Sequence, residues 1–309
     1  MGKTVCIILN YNDADTAIGL AGELKESLEI DEILLVDNHS ADDSWEKLSA
    51  FAGGVSGGWR EENPGIALLR TEKNGGYGYG NQAGIDEAVR LWKPEYVIIA
   101  NPDIHVTDRC IRKVREALEK TENGAAASAM VASPEGKRLF SYWDLLPFWW
   151  DLLDTGPICR RVFKPWLITP PRRLPRGGTA GSRMAGAVPG SFFVLKMSAF
   201  PGKYGKEIFD RKVFLYCEEK ILAQKLKARG LGVVLVTDAE YIHAHSVSID
   251  RSVAGLAKKQ EILHRSKLYY YRRYLGAGPL HMLAARIFLA AVYGEVWLFE
   301  AAMRILKRP

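Results

Sequence analysis

Short apolar runs, most closed by a polar cluster, set the rhythm of the chain from Thr4 to Ala132. Val5 to Leu9 leads into Asn10-Tyr11-Asn12-Asp13, and Glu32 to Val36 into Asp37-Asn38-His39-Ser40-Ala41-Asp42-Asp43. Ile66 to Arg70 is followed by Asn74-Gly75-Gly76-Tyr77-Gly78-Tyr79-Gly80-Asn81, and Tyr96 to Ala100 by Asn101-Pro102-Asp103. Ala125 to Ala132 is a further run. Apolar stretches of this length, rich in β-branched residues, read as buried strands. Pro102 cannot donate to a ladder and restricts Asn101, so it ends the strand before Asp103. Between the runs lie helical stretches near Ala14 to Ser27, Ser44 to Phe51, Gln82 to Trp92 and Asp108 to Lys120, with Asp13 or Asp15 near the first cap. A Gly-rich loop is expected from Gly53 to Gly58. Strand and helix alternate at βαβ spacing, which predicts a parallel sheet with crossover helices. The polar clusters then share one carboxyl edge, where open α/β sheets bind ligands.

After Ser133 the pattern breaks. Leu139 to Trp166 is crowded with aromatics, and a Pro/Arg/Gly-rich loop follows from Thr169 to Arg183. Residues 139 to 185 read as an insertion whose aromatics either pack beneath it or meet a membrane or acceptor. Pro189-Gly190-Ser191 opens a strand from Phe192 to Lys196. A helix begins near Cys217 and ends at Arg229-Gly230 with a glycine cap, and Val233 to Thr237 is a last strand. Lys258 to Tyr274 is a basic, tyrosine-rich helix, and Pro279 starts another that reaches about Leu306. Arg286, Glu295 and Glu300 interrupt it, so no membrane span is expected there. At 100° per residue, Arg286, Glu300, Arg304, Lys307 and Arg308 share one face, and Leu283, Ile287, Ala290, Gly294 and Leu298 another. Such a helix lies on a membrane surface, docks on a partner helix, a second copy included, or packs on its own domain.

Length and charge narrow the picture. At 309 residues the chain is one large α/β domain, or one with an appendage. The net charge of +6 is modest, but from Thr155 to Lys206 there is no acid, while Arg160, Arg161, Lys164, Arg172, Arg173, Arg176, Arg183, Lys196, Lys203 and Lys206 fall there. That block is either a solvated basic loop or a surface for phosphates, lipid headgroups or nucleic acid. Cys6, Cys110, Cys159 and Cys217 form no C-x-x-C pair, which points to reduced thiols in the cytosol. The chain opens directly on a strand, so no signal peptide is expected.

Edge clusters of Asp, Asn and Gly suit a nucleoside diphosphate. Asp37 can accept from a ribose hydroxyl or a base N–H, with Asn38 and Ser40 orienting it. Gly75, Gly76, Gly78 and Gly80 let backbone N–H groups approach anionic oxygens at a helix N-terminus. Asp103 is a hard oxygen ligand for a divalent cation, or a turn residue. Gly78-Tyr79-Gly80-Asn81-Gln82-Ala83 also matches G-x-G-x-x-A, with Asp103 further on, which leaves a nicotinamide-dependent oxidoreductase as an alternative.

Taken in order, Leu9-Asn10-Tyr11-Asn12, Val36-Asp37-Asn38-His39-Ser40-Ala41-Asp42, Asn74 to Asn81 and Asn101-Pro102-Asp103 resemble the successive motifs of family 2 glycosyltransferases, in particular the rhamnosyltransferase-like branch. The resemblance covers about residues 3 to 250, leaving 251 to 309 as a C-terminal helical extension, and is weakest in the insertion. It implies a GT-A fold, a nucleotide-sugar donor, Mg2+ or Mn2+, and an inverting single displacement. By that resemblance Asn10, Tyr11, Asn12, Asp37, Asn38, Ser40, Asn74, Gly76, Gly78, Asn81 and Asn101 face the donor, and Gly190 and Ser191 the acceptor. Asp103 is the acid of the metal triplet, here Asn-Pro-Asp, and His243 or His245 the late histidine near the metal, with Ser246 and Ser248 completing the H-x-x-S-x-S spacing. Phe214-Leu215-Tyr216-Cys217-Glu218-Glu219 matches the base motif, with Glu219 in the base position and Ile221 where the family often has a further Asp. The pair also suits the first turn of a helix, where the macrodipole favours acids. Together with the basic insertion and the tail, this implies a lipid-linked or glycan acceptor at the inner face of a membrane, a cytoplasmic location and no nucleic-acid partner. A non-catalytic scaffold of the same fold remains an alternative, on the altered base motif.

Overall fold

The computed structural model describes residues 2–55, 65–201, 207–244 and 255–306. Among them nine strands form one mixed sheet. These are β1 (Thr4–Asn10), β2 (Glu32–Asp37), β3 (Gly65–Arg70), β4 (Tyr96–Ala100), β5 (Ile104–His105), β6 (Gly124–Ala132), β7 (Ser182–Ala185), β8 (Phe192–Lys196) and β9 (Gly232–His243). Their order is β3-β2-β1-β4-β8-β6-β9-β5, with β7 also paired to β9. β1 to β4 are mutually parallel, as the βαβ spacing predicts. β8 runs antiparallel between β4 and β6, with Phe192 opposite Ala100. That reversal brings Pro189 to Ser191 to the same edge as the ends of β1, β2 and β4.

Helices cover both faces of the sheet. α1 (Ala14–Leu24), α2 (Ser44–Val55) and α4 (Asp108–Lys120) bury Leu20, Leu24, Leu48, Ile111, Val114 and Leu118 on one side. α3 (Tyr77–Trp92) and α7 (Glu218–Lys227) bury Ile85, Ala88, Leu222 and Leu226 on the other. Being covered twice is why β1, β2 and β4 are continuous apolar runs. α4 starts where its sequence allows a cap, with the Thr107 hydroxyl accepting from the Cys110 N–H at 3.3 Å. The insertion folds into α5 (Phe148–Leu153) and α6 (Pro157–Leu167), and the tail into α8 (Leu256–Tyr274) and α9 (Pro279–Leu306). Phe148, Leu152, Ile221, Tyr270, Tyr271, Ala285 and Leu289 close a third core between α5, α7, α8 and α9.

Some expectations change. α2 continues through Gly53 to Val55, so the expected loop starts later, and 56–58 lie outside the described residues. α3 begins at Tyr77 rather than Gln82, taking the glycines Gly78 and Gly80 into its first turn. β9 runs past Thr237 to His243, because a register shift after Val236 lets Glu240 rejoin β6 opposite Met130. Pro279–Glu300 is 22 residues long and holds a window of mean hydropathy 1.6, so by length and composition alone it is long and apolar enough to cross a bilayer despite the charges that argued against a span. Its packed stripe is Ala285, Leu289 and Val292, while Leu283, Ile287 and Leu298 of the expected apolar face are exposed.

Candidate active site

The strand ends are tied to each other before they face any ligand. Asp37 is fully buried, accepts from the Asn10 amide at 3.1 Å and from the Ser40 hydroxyl, and forms an ion pair with Arg70, whose Nε lies 3.3 Å away. Asn12 takes the left-handed conformation its residue type tolerates, with φ 54°. Its N–H donates to Ser40 Oγ at 2.9 Å, and its side-chain oxygen accepts from the Ala41 N–H at 2.8 Å. Asn38 reaches sideways, donating to Asn74 Oδ1 at 3.1 Å and to the Gly76 carbonyl at 3.2 Å. The Asn81 amide donates to the Tyr77 carbonyl at 3.1 Å inside α3.

Gly76 is a glycine for a reason the sequence does not reveal. Its φ is +89°, and a Cβ there would lie 1.9 Å from the Phe214 carbonyl oxygen. The same carbonyl accepts from the Tyr77 N–H at 3.0 Å. The glycine turn is packed against the segment that leads into α7.

That segment carries the carboxylates. Tyr216 and Cys217 are both left-handed, with φ 71° and 70°, a strained pair of the kind found at functional sites. The turn aims Glu218 and Glu219 from the start of α7, where the helix dipole favours negative charge. The Glu219 Oε1 accepts from the Gly190 N–H at 3.0 Å, and the Tyr77 hydroxyl donates to the Gly190 carbonyl at 2.6 Å. Burial raises the Glu219 pKa, opposed by backbone N–H donors, that of Gly190 among them, and by Lys220. Glu218 lies deeper, with one oxygen lacking a hydrogen bond. Burial first, and the Glu219 charge second, push its pKa well above the ordinary range. Of the pair, Glu219 is the partly exposed member.

Asp103 and His243 meet where β5 pairs with the end of β9. Asp103 is buried, with Oδ1 3.3 Å from His243 Nε2 and no hydrogen bond to that oxygen. The Asn101 N–H donates to the Ser191 carbonyl at 2.8 Å, and the Ser191 hydroxyl lies 2.7 Å from the Tyr241 hydroxyl. His245, Ser246 and Ser248 lie outside the described residues.

These groups surround a cleft of about 610 Å³. Of the residues singled out in the sequence, Tyr11, Asn38, Asn74, Gly76, Asn101, Gly190, Ser191, Glu218, Glu219 and His243 line it. Asn10, Asn12, Asp37, Ser40, Gly78, Asn81 and Asp103 stand behind that lining. Sequence reasoning missed Tyr77, Phe140, Trp143 and Arg160, which also line the cleft. It missed a buried cluster beside it as well. Asp151 on α5 bridges Lys220 of α7 and Lys267 of α8, each ammonium 2.5 Å from its own carboxylate oxygen. The one available signal was an acid set between Trp150 and Leu152 in an apolar run.

The model of glycosyl transferase family 2 matches residues 5–168, more than half of the chain. The chain belongs to that family. An N-acetylglucosaminyl-diphospho-decaprenol L-rhamnosyltransferase of Mycobacterium tuberculosis is 29% identical over 231 residues, spanning 71% of this chain and 68% of the relative. Family 2 membership makes this chain a glycosyltransferase, similar in sequence to that rhamnosyltransferase, and sets aside the nicotinamide-dependent and non-catalytic readings. The glycines of the G-x-G-x-x-A match are indeed helical and buried in α3. Among solved structures, a mannosyltransferase from Pyrobaculum calidifontis in complex with GDP-Man and Mn2+ aligns with a TM-score of 0.57 at 13% identity, over 97% of this chain and 75% of that one. GalNAc-T7 with UDP, GalNAc and Mn2+ aligns at 0.54 and 13% identity, over 79% of this chain and 44% of that one. These likenesses establish the GT-A fold.

Proposed function

We propose that this family 2 glycosyltransferase moves a sugar from a nucleoside-diphosphate donor to a hydroxyl of a lipid-linked acceptor, by single displacement with inversion. Glu219 carries the reading. It is a partly exposed carboxylate on the cleft wall that accepts from the Gly190 N–H, beside Glu218, whose pKa burial pushes well above the ordinary range. Glu219 takes the proton from the acceptor hydroxyl as that oxygen bonds to the anomeric carbon. The bond from that carbon to the diphosphate oxygen breaks, and its electron pair leaves with the nucleoside diphosphate.

Tyr11, Asn38, Asn74 and Asn101 contact the donor, while Asn10, Asn12, Asp37, Ser40, Gly78 and Asn81 hold the frame behind them. Gly190 and Ser191 lie on the acceptor side. Asp103 and His243 fit a divalent cation, because a buried carboxylate oxygen without a hydrogen bond faces an imidazole nitrogen. Mg2+ or Mn2+ held there would supply positive charge to the leaving diphosphate. The lipid-linked acceptor draws support from the name of the mycobacterial relative and from the acid-free stretch that includes α6, and it places the enzyme at a membrane surface. A panel of nucleotide sugars with Mg2+ or Mn2+ tests the reading through release of nucleoside diphosphate. Glu219→Gln should cut turnover by about 10³-fold or more while leaving donor affinity within about twofold. Near-wild-type turnover in that variant refutes the assignment.

A further inference from the structure

α6 is amphipathic with its apolar stripe turned outward. Ile158, Val162 and Trp166 follow one another at intervals of four residues and are 62%, 60% and 65% exposed. At 100° per residue this row spans one narrow sector, and Arg160 falls on the opposite side of the helix. Arg160 is the residue of α6 that lines the cleft. Arg161 is exposed beside the row, Lys164 is exposed on the Arg160 side of the helix, and Arg172 and Arg173 are exposed just beyond it. Trp150, 38% exposed, meets Phe163 of α6, whose ring lies 6.2 Å from that of Trp166, and so extends the apolar surface onto α5.

The surface continues onto α9. The Ile158 N–H donates to Glu295 at 3.1 Å, and a Cβ on Gly156 would touch Phe288 and Val292 at 3.2 Å. α9 in turn exposes Leu283, Ile287, Trp297 and Leu298. Its packed stripe, Ala285, Leu289 and Val292, holds it along the protein.

We propose that the outward row of α6, continuous with the exposed side of α9, is a docking face for an anionic lipid bilayer. It seats the protein peripherally, with the cleft on the other side of α6. Apolar rows flanked by arginines, with tryptophans among them, match the boundary between acyl chains and anionic headgroups. Because α6 is a shared wall, an acceptor hydroxyl carried on a membrane lipid reaches the cleft past Arg160 without leaving the interface. The purpose of the face rests on the lipid-linked acceptor reading, but its existence is measured independently of turnover.

The test is flotation of the full chain with phosphatidylcholine vesicles, with and without about 30 mol% phosphatidylglycerol. Wild type should bind the anionic vesicles and release as salt rises. The triple variant Ile158→Ser/Val162→Ser/Trp166→Ser should bind at least about tenfold more weakly. Arg161→Glu/Arg172→Glu should lose the anionic preference. Both should melt as wild type does and release nucleoside diphosphate from the donor at the wild-type rate with a water-soluble acceptor. Triple-variant binding equal to wild type overturns the proposal. So does wild-type binding that withstands high salt and alkaline carbonate, which would make α9 a span. A dimeric wild type that ignores vesicles, beside a monomeric triple variant, gives the face to a second copy and also overturns it. Vesicle binding without turnover on any nucleotide sugar leaves the face standing and removes the reading under Proposed function instead.

Discussion

Asp151→Asn isolates what holds α7, which carries the proposed base, in place. Asp151 is fully buried, and Lys220 and Lys267 are nearly so. The variant keeps the volume but leaves Lys267 facing a neutral amide and Lys220 with Asp154, 3.6 Å away, as its remaining carboxylate. Removing one member of a buried ion pair costs about 3–5 kcal/mol, mostly as uncompensated charge. A chain of this size shifts its Tm by about 1.5 °C per kcal/mol, so a loss of about 5–8 °C is expected. The titration behaviour gives a second reading. Burial alone would raise the Asp151 pKa, but Lys267 and Lys220 overcome it and bring it from an ordinary 3.8 to about 2. Lys267 is held well above its ordinary 10.5, with Asp151 the main cause that overcomes burial. A lowered acid stabilises above its unfolded pKa and loses that contribution as pH falls toward 2. A raised base stabilises below its unfolded pKa and loses that contribution as pH climbs past it. The Tm difference between wild type and variant should therefore be largest near neutral pH and shrink toward pH 3. Thermal melts by circular dichroism measure both. The paired control is Asp151→Leu/Lys220→Met/Lys267→Met, which removes all three charges and should recover most of the loss. A single variant within about 1 °C of wild type, or a triple variant as unstable as the single, would refute the reasoning.

Glu218→Gln should keep most of the turnover, since the glutamine mimics the protonated acid. Its pKa is raised above the ordinary 4.5 by burial, so it costs stability increasingly as pH rises past that value, and the variant's Tm should exceed wild type by about 1–3 °C at pH 8 and match it at pH 4. Gly190→Ala puts a Cβ 2.8 Å from Glu219 Oε1 and 2.9 Å from the Tyr77 hydroxyl. Displacing the base should lower turnover by about 10²-fold with donor affinity intact, as steady-state kinetics and titration calorimetry would report. Because burial raises Glu219, the acid limb of kcat/KM should lie above the ordinary carboxylate range, the rate falling as pH drops through it, and a limb at or below 4.5 would contradict the environment described.

The sheet was legible because strands buried on both faces must be apolar throughout, and β1, β2 and β4 are. Asp103 and Glu219 were reachable through short ordered motifs. Other features were not, for physical reasons. Asp151 meets Lys220 and Lys267 across 69 and 116 residues, and a lone acid in an apolar run does not name its partners. Gly76 reads the same whether a phosphate or the Phe214 carbonyl comes close, since either needs only that no Cβ be there.

The Tyr77–Gly190 bond joins residues 113 positions apart, and Gly190 then holds Glu219. Such contacts form only after a long loop has closed. As the chain leaves the ribosome, the asparagines at the ends of β1 and β2 can be arranged early. The proposed base has nothing to hold it until β8 has slotted beside β4 and α7 has emerged. The proposed proton acceptor is thus fixed late in synthesis, and an arrested nascent chain ending before α7 would carry the glycine turn at the start of α3 without it.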